Sequence, residues 1–352
     1  MKRVGIYIDP SKAGSLGGAQ IHAAVLADWL ARHSQVDLIV RDPTFDLRLL
    51  ERVSSTDLSS VTIKVPKSYD HVRSATISDR YDLFAAFAHD VPPYCRAPLG
   101  LLVVLFPSKS KAELWPWSHA NDATKLRLHR QIRETGHEIA WARRFAGYQI
   151  KTANSGYTQR WTAARWGLDC HIVYPPVNIN KQLRKKKTSI LSVGRFTGTG
   201  LSKNQYELIG LFSNLSSGRT LPENWTYTLA GGVSDEGSQA YYARCLESAL
   251  VCGATLLPNV EDAVLQALYG ESSIFWHATG LTEDESVQPE KSEHFGMVTV
   301  EAISNGCVPV VMRRGGQPEI VDHGHTGFLC DSLDEIGERT GELVRSPLLL
   351  DR

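Results

Sequence analysis

Val4-Gly5-Ile6-Tyr7-Ile8, a helical pattern around residues 20–33 and Val36-Asp37-Leu38-Ile39-Val40 decide the fold. A short apolar run, a stretch with apolar residues at helical spacing and a second apolar run make a βαβ unit. Its strands lie parallel because the helix carries the chain back to the same end of the sheet. The alternation continues through YDLFAAF at 81–87, LGLLVVLF at 99–106, GYQIKTA at 147–153 and HIVYPPV at 171–177. Most of these runs are apolar at successive positions, as strands covered by helices on both faces must be.

Between Tyr174 and Thr188 the sequence YPPVNINKQLRKKKT interrupts all periodicity with two prolines and the cluster Arg184, Lys185, Lys186 and Lys187, and it reads as an interdomain linker with solvated cations. A second series follows: SILSVGRF at 189–196, a helix from about 203 to 215, WTYTLAGG at 225–232, a helix around 239–251, ATLLPNV at 254–260 and SSIFWHA at 272–278. EHFGMVTVEAISNG, CVPVVMRRGG, GFLCD and a helix near 333–344 complete it. The expected architecture is therefore α/β, with two Rossmann-like, doubly wound domains over residues 1–180 and 188–352 facing across a cleft.

Composition narrows the function. The 352 residues carry 38 Lys+Arg against 38 Asp+Glu, so the whole-chain positive field of a nucleic-acid binder is missing. The six cysteines form no C-x-x-C pair and read as reduced, mostly buried thiols of a cytoplasmic protein rather than a zinc or disulfide framework. MKRVGIYIDP is broken by Asp9 and Pro10 and reads as a first strand, not a signal peptide. The longest uncharged apolar stretch, residues 97–107, is far shorter than the roughly 20 residues of a membrane span, so membrane contact is expected to be peripheral. The segment 109–144, with Trp115, Trp117, Trp141 and many Lys and Arg, suits either a membrane surface or an ordinary helical pair.

The chemistry concentrates in Glu293-His294-Phe295-Gly296-Met297-Val298-Thr299-Val300-Glu301. Gly296 sits where a helix opens, and the free N–H groups of a first helical turn attract anions. Glu301 then lies in the second turn and Glu293 in the preceding loop, so both carboxylates can border one pocket and accept paired hydrogen bonds from sugar hydroxyls or a ribose diol. Upstream, Arg195 follows a strand and Lys203 opens a helix, two cations placed to converge on a diphosphate. Gly17 and Gly18 join the first strand to the first helix, without the G-x-G-x-x-G spacing of a dinucleotide site. Asp284, Glu285 and Glu290 read as a solvated acidic loop, and His323 and His325 as turn residues rather than metal ligands.

Taken in order, GGAQ at 17–20, ANSGYTQRW at 153–161, VYPPV at 173–177, SVGRF at 192–196 with Lys203, EHFGMVTVEA at 293–302 and GGQPEIV at 315–321 resemble glycosyltransferase family 4, retaining nucleotide-sugar-dependent enzymes of the GT-B fold. The resemblance implies that Arg195 and Lys203 bind the donor diphosphate, Glu293 holds the donor sugar and Glu301 the nucleotide ribose. It also implies that the backbone of Phe295, Gly296, Met297 and Val298 contacts sugar and phosphate, that Gly17 and Gly18 approach the donor phosphates and the acceptor, and that Asn259 and Val260 bind the base. A metal-independent front-face transfer of a hexose to a glycan or lipid-linked acceptor follows, with no cofactor beyond the nucleotide sugar and GDP-mannose as the first expected donor.

Two departures from the family pattern stand out. Leu105 occupies the place of a histidine found before Phe-Pro in many relatives, with His22 or His89 as candidates to compensate, and the chain stops at Arg352 without the further helices usual in the family. The rivals are a GT-B nucleotide-sugar epimerase and a catalytically silent nucleotide-sugar-binding scaffold.

Overall fold

In the computed structural model, β1 (Arg3–Ile8) pairs in parallel with β2 (Gln35–Ile39), with Ile6 opposite Leu38, and α1 (Gly18–Ala31) connects them. The structure describes residues 1–8, 16–66, 77–89, 92–108, 141–177, 184–198, 200–346 and 350. The chain divides into two units, Met1–Pro175 and Pro176–Arg352.

In the first unit, α2 (Leu47–Ser54) leads to the edge strand β3 (Thr62–Lys64), and β4 (Leu83–Ala88), β5 (Leu99–Val104), β6 (Ile150–Ala153), α3 (Gly156–Trp166) and β7 (His171–Ile172) follow. Among the described residues they form a seven-stranded sheet in the order β3-β2-β1-β4-β5-β6-β7. Neighbouring residues of β1 belong to different cores: Ile6 packs with Ala23, Ala27 and Leu38, while Tyr7 packs with Phe84, Leu102 and Tyr148. That split is the physical meaning of a run apolar at every position. The strand expected over 171–177 is much shorter, because Pro175 and Pro176 have no N–H for a ladder.

The second unit repeats the plan. β8 (Lys187–Val193), α4 (Gln205–Ser217), β9 (Thr226–Gly231), α5 (Glu236–Cys252), β10 (Thr255–Pro258), α6 (Asp262–Glu271), β11 (Ser272–His277), α7 (Met297–Ser304), β12 (Val308–Met312), β13 (Phe328–Cys330) and α8 (Leu333–Arg345) build a parallel six-stranded sheet, β10-β9-β8-β11-β12-β13. Ile190 and Trp276 face one core, Leu191 and Phe275 the other. The expected α/β class with two Rossmann-like halves is what the structure has. The sequence reading passed over α2, β3, α3 and α6, of which β3 is largely exposed.

The solvated linker expected over 184–187 needs correction. Lys187 begins β8, and the Lys186 ammonium is partly buried, donating to the carbonyls of Tyr269 at 3.2 Å, Ser272 at 2.7 Å and Asn305 at 2.7 Å. Arg184 and Lys187 both pair with Glu271. All six cysteines are free and five are buried. No helix among the described residues is long and apolar enough to cross a membrane.

Candidate functional site

In the second sheet the chain runs outward from β8 to β10 on one side and from β11 to β13 on the other. Open parallel sheets bind ligands beyond the carboxyl ends of the two strands where that direction reverses. Here those ends are Val193, followed by Gly194 and Arg195, and His277. Gly194 is needed for space. A Cβ there would sit 2.8 Å from Cγ of Lys203, so the lysine stem lies across the end of β8. A Cβ on Gly231 would meet the Gly194 carbonyl oxygen. Arg195 is exposed and its carbonyl accepts from Nε2 of Gln205 at 3.0 Å.

The sequence places Lys203 with Arg195 as a cation for a diphosphate; in the structure its ammonium has a carboxylate partner. Its Nζ donates to Oε2 of Glu293 at 2.6 Å, with only 15% of the lysine side chain and 12% of the glutamate side chain exposed. Nε2 of His277 lies 3.2 Å from the same Oε2. Burial pushes the Glu293 carboxyl up, but the Lys203 charge and the His277 hydrogen bond outweigh it and hold the group well below the usual carboxylate range. Glu293 is thus an ionised carboxylate with one oxygen engaged twice. Among the described residues, nothing hydrogen-bonds its Oε1.

The loop that carries Glu293 is fixed from both ends. Gly316 N donates to the Glu293 carbonyl at 2.7 Å, and Gly315, at φ +63°, passes so close that a Cβ would overlap that carbonyl. Gly315 N in turn donates to the Glu285 carboxylate, which corrects the reading of Glu285 as a solvated loop residue. Gly296 caps α7 at φ +114°, a conformation that only glycine adopts without strain, and no side chain caps the helix there. Met297 and Val298 open the helix, and Phe295 is buried just before it. The unfilled first turn leaves N–H groups and a partial positive charge for an anion.

Glu301 lies one turn further along α7, and its Oε2 accepts from the Tyr269 hydroxyl at 2.9 Å. Burial pushes its carboxyl up to about 7, against a smaller lowering by Tyr269. Asn259 adopts the left-handed conformation after β10 and spends both ends of its amide on Val233, donating to the carbonyl at 3.0 Å and accepting from the N–H at 2.9 Å. Val260, beside it, packs against the core around Phe275.

In the first unit Gly17 is the N-cap of α1, its N–H donating to Oε1 of Gln20 at 2.9 Å, and Gly18 is the first helical residue. Residues 9–15 and 109–140 lie outside the described residues, and with them most of the basic tryptophan-bearing segment. Leu105 is buried in the core with Phe87. His22 rests edge-on against Phe87 at 5.1 Å, and burial lowers its pKa to about 4. His323 accepts from Leu329 N through Nδ1 at 3.1 Å, the role of a turn residue.

Sequence reasoning missed His277, Thr299 and Gln317. The one signal was a polar residue, His277, directly after the apolar stretch Ile274-Phe275-Trp276.

Residues 177–348 match the family described as Glycosyl transferases group 1. A GDP-Man:Man(3)GlcNAc(2)-PP-Dol alpha-1,2-mannosyltransferase of Dictyostelium discoideum is 30% identical over 202 residues, 51% of this chain and 36% of that protein. An N-acetyl-alpha-D-glucosaminyl L-malate synthase of Bacillus anthracis is 43% identical over 83 residues, 24% of this chain and 20% of its own length. The matches thus span about a third of the first of these curated relatives and a fifth of the second. Among solved structures, Anabaena HepE in complex with UDP and glucose superposes with a TM-score of 0.65 at 16% identity, over 99% of this chain and 92% of that one. This likeness establishes the GT-B type of fold, with its two parallel-sheet Rossmann-like domains.

Proposed function

Because residues 177–348 form a Glycosyl transferases group 1 domain, we propose that the protein is a retaining glycosyltransferase that moves a hexose from a nucleoside-diphosphate sugar to a glycan or lipid-linked acceptor. One observation carries the reading: an ionised, half-engaged Glu293 stands with Lys203 directly before the uncapped N-terminus of α7, at the switch point of the second sheet. A carboxylate with a bare oxygen suits sugar hydroxyls, and an amine with an uncapped helix end suits a diphosphate.

In this reading Arg195 and Lys203 carry the charge that grows on the leaving diphosphate, together with the Met297 and Val298 N–H groups. Lys203 is then shared between Glu293 and the phosphate. Glu301 takes the ribose diol, for which a carboxyl poised near neutrality serves as donor or acceptor. Val260 and the Asn259 backbone border the base, and Gly17 and Gly18 offer the ligand surface of the first unit. The acceptor hydroxyl attacks the anomeric carbon on the face the diphosphate leaves and gives its proton to the departing phosphate oxygen. Glu293 serves in this reading as a hydrogen-bond acceptor for the sugar hydroxyls through Oε1, and no protein nucleophile is invoked. No metal is required where two cations and a helix end share the charge.

GDP-mannose is the first donor to try, since the Dictyostelium relative is a GDP-mannose enzyme; a UDP-sugar is the second. A lipid-linked acceptor places the protein at the inner face of a membrane. The test is a thermal-shift titration with UDP, GDP, ADP and dTDP, with Glu301→Ala as control, followed by transfer assays with the matching sugar. A ligand that binds only the folded state raises its melting temperature. One nucleotide that stabilises the wild type and not the variant supports the reading; no response to any of the four sinks it.

A further inference from the structure

His277 closes β11 with a side chain only 2% exposed, stacked near Phe275 with ring centroids 6.3 Å apart, and no role has been assigned to it. The groups around it define which nitrogen holds its proton. Nε2 of Gln317, a wholly buried residue, lies 3.3 Å from Nδ1 of His277 and 3.0 Å from Oγ1 of Thr299. An amide nitrogen only donates, so Nδ1 is an acceptor and the neutral ring is protonated on Nε2. That N–H faces Oε2 of Glu293 at 3.2 Å, with Oγ1 of Thr279 at 3.3 Å. With the amide reversed, Nδ1 would donate to the amide oxygen. A neutral ring would then turn its Nε2 lone pair toward a carboxylate, and a doubly protonated ring would carry a buried charge, which burial opposes.

The glycine of EHFG belongs to the same arrangement. A Cβ on Gly296 would come within 3.1 Å of Gln317 Nε2, so the bare α-carbon leaves room for the amide that fixes the histidine. GGQPE and EHFG, separate along the sequence, meet at one imidazole.

We propose that His277 is a positioning residue for the donor sugar: held as the Nε2–H tautomer by Gln317, it clamps Oε2 of Glu293 beside Lys203 and thereby turns Oε1 toward the sugar hydroxyls. The inference rests on the donor-site reading and adds to it a division of labour. Lys203 engages diphosphate and carboxylate alike, whereas His277 acts only through the carboxylate, so its loss affects the sugar and not the nucleotide.

The experiment is calorimetric binding of GDP, UDP, GDP-mannose and UDP-glucose to the full chain and to His277→Ala, His277→Gln and Gln317→Met, each checked for a cooperative melt. The quantity read is how much the sugar tightens binding beyond the bare diphosphate. In His277→Ala that gain falls about tenfold, the worth of a hydrogen bond to a charged group, while affinity for the bare diphosphate stays within about threefold. His277→Gln restores most of the gain, since its amide N–H stands near the ring Nε2, and Gln317→Met loses it by releasing the tautomer. Should His277→Ala not fold, Gln317→Met and His277→Gln carry the comparison. An unchanged gain in the Ala or Met variant, an equal loss in His277→Gln, or a wild type that binds nucleotide without any gain from sugar overturns the proposal. A wild type that binds none of the four compounds overturns the donor-site reading itself, and the proposal with it.

Discussion

Lys203 Nζ and Glu293 Oε2 lie 2.6 Å apart although 90 residues separate them in the chain. The pair joins the start of α4 to the loop before α7, so it is a strut of the second unit. Removing one partner leaves a largely buried charge uncompensated, whereas removing both leaves none.

Lys203→Met is therefore expected to destabilise the protein by about 3 kcal/mol, and Lys203→Met combined with Glu293→Gln to recover most of that loss. Urea denaturation of the two single variants and the double variant measures the coupling. Additive losses would show that the two side chains do not interact in solution.

Arg195 provides the contrast, because its side chain is exposed. Arg195→Ala is expected to change stability by no more than about 0.5 kcal/mol, the usual range for a surface site. Its affinity for a nucleoside diphosphate falls about tenfold, with a weaker salt dependence, because a charge-assisted contact is lost. Equal diphosphate affinity in variant and wild type at low salt would remove Arg195 from the site.

Glu301 makes stability depend on pH. Its folded-state pKa, about 7, lies above the ordinary carboxyl value of 4.5, so its contribution is fully present below about pH 4.5 and is lost as pH rises through about 7. Glu301→Gln removes that slope. Without ligand, the variant matches the wild type at pH 5 and exceeds it at pH 8, by on the order of 3 kcal/mol at most. Denaturation curves at the two pH values decide it, and a variant less stable than wild type at pH 8 would contradict the assignment.

Gly315 and Gly324 separate strain from collision. Both have positive φ, +63° and +81°, but an added Cβ at 315 overlaps the Glu293 carbonyl while at 324 nothing lies within 4 Å. Gly324→Ala is expected to cost about 1 kcal/mol and Gly315→Ala several times as much. Only the latter should lower affinity for a nucleotide sugar, since it moves the Glu293 loop. Melting temperatures with and without the ligand found by titration test both parts.

Most of the fold was legible because parallel strands covered on both faces are apolar along most of their length; VGIYI and LGLLVVLF satisfy that demand throughout, and SILSV does so at Ile190, Leu191 and Val193. The elements α2, β3, α3 and α6 were not, since each is short and offers few positions over which a pattern can repeat. The motif residues Arg195, Lys203, Glu293 and Glu301 stood out through their places at strand and helix ends together with the family resemblance of the ordered motifs. Their states did not.

The sequence by itself determined the α/β class, the two Rossmann-like halves and the residue types gathered around EHFGMVTVE, because periodicity and local spacing are properties of one segment at a time. Tertiary structure decided that Lys203 is partnered by Glu293, that Glu301 is held near neutrality beside Tyr269, that Lys186 is an anchor rather than a solvated linker cation, and that His277 faces Glu293 with Gln317 behind it. Charge state and hydrogen-bond direction depend on burial and on groups brought from elsewhere in the chain, and only folding places those groups within reach.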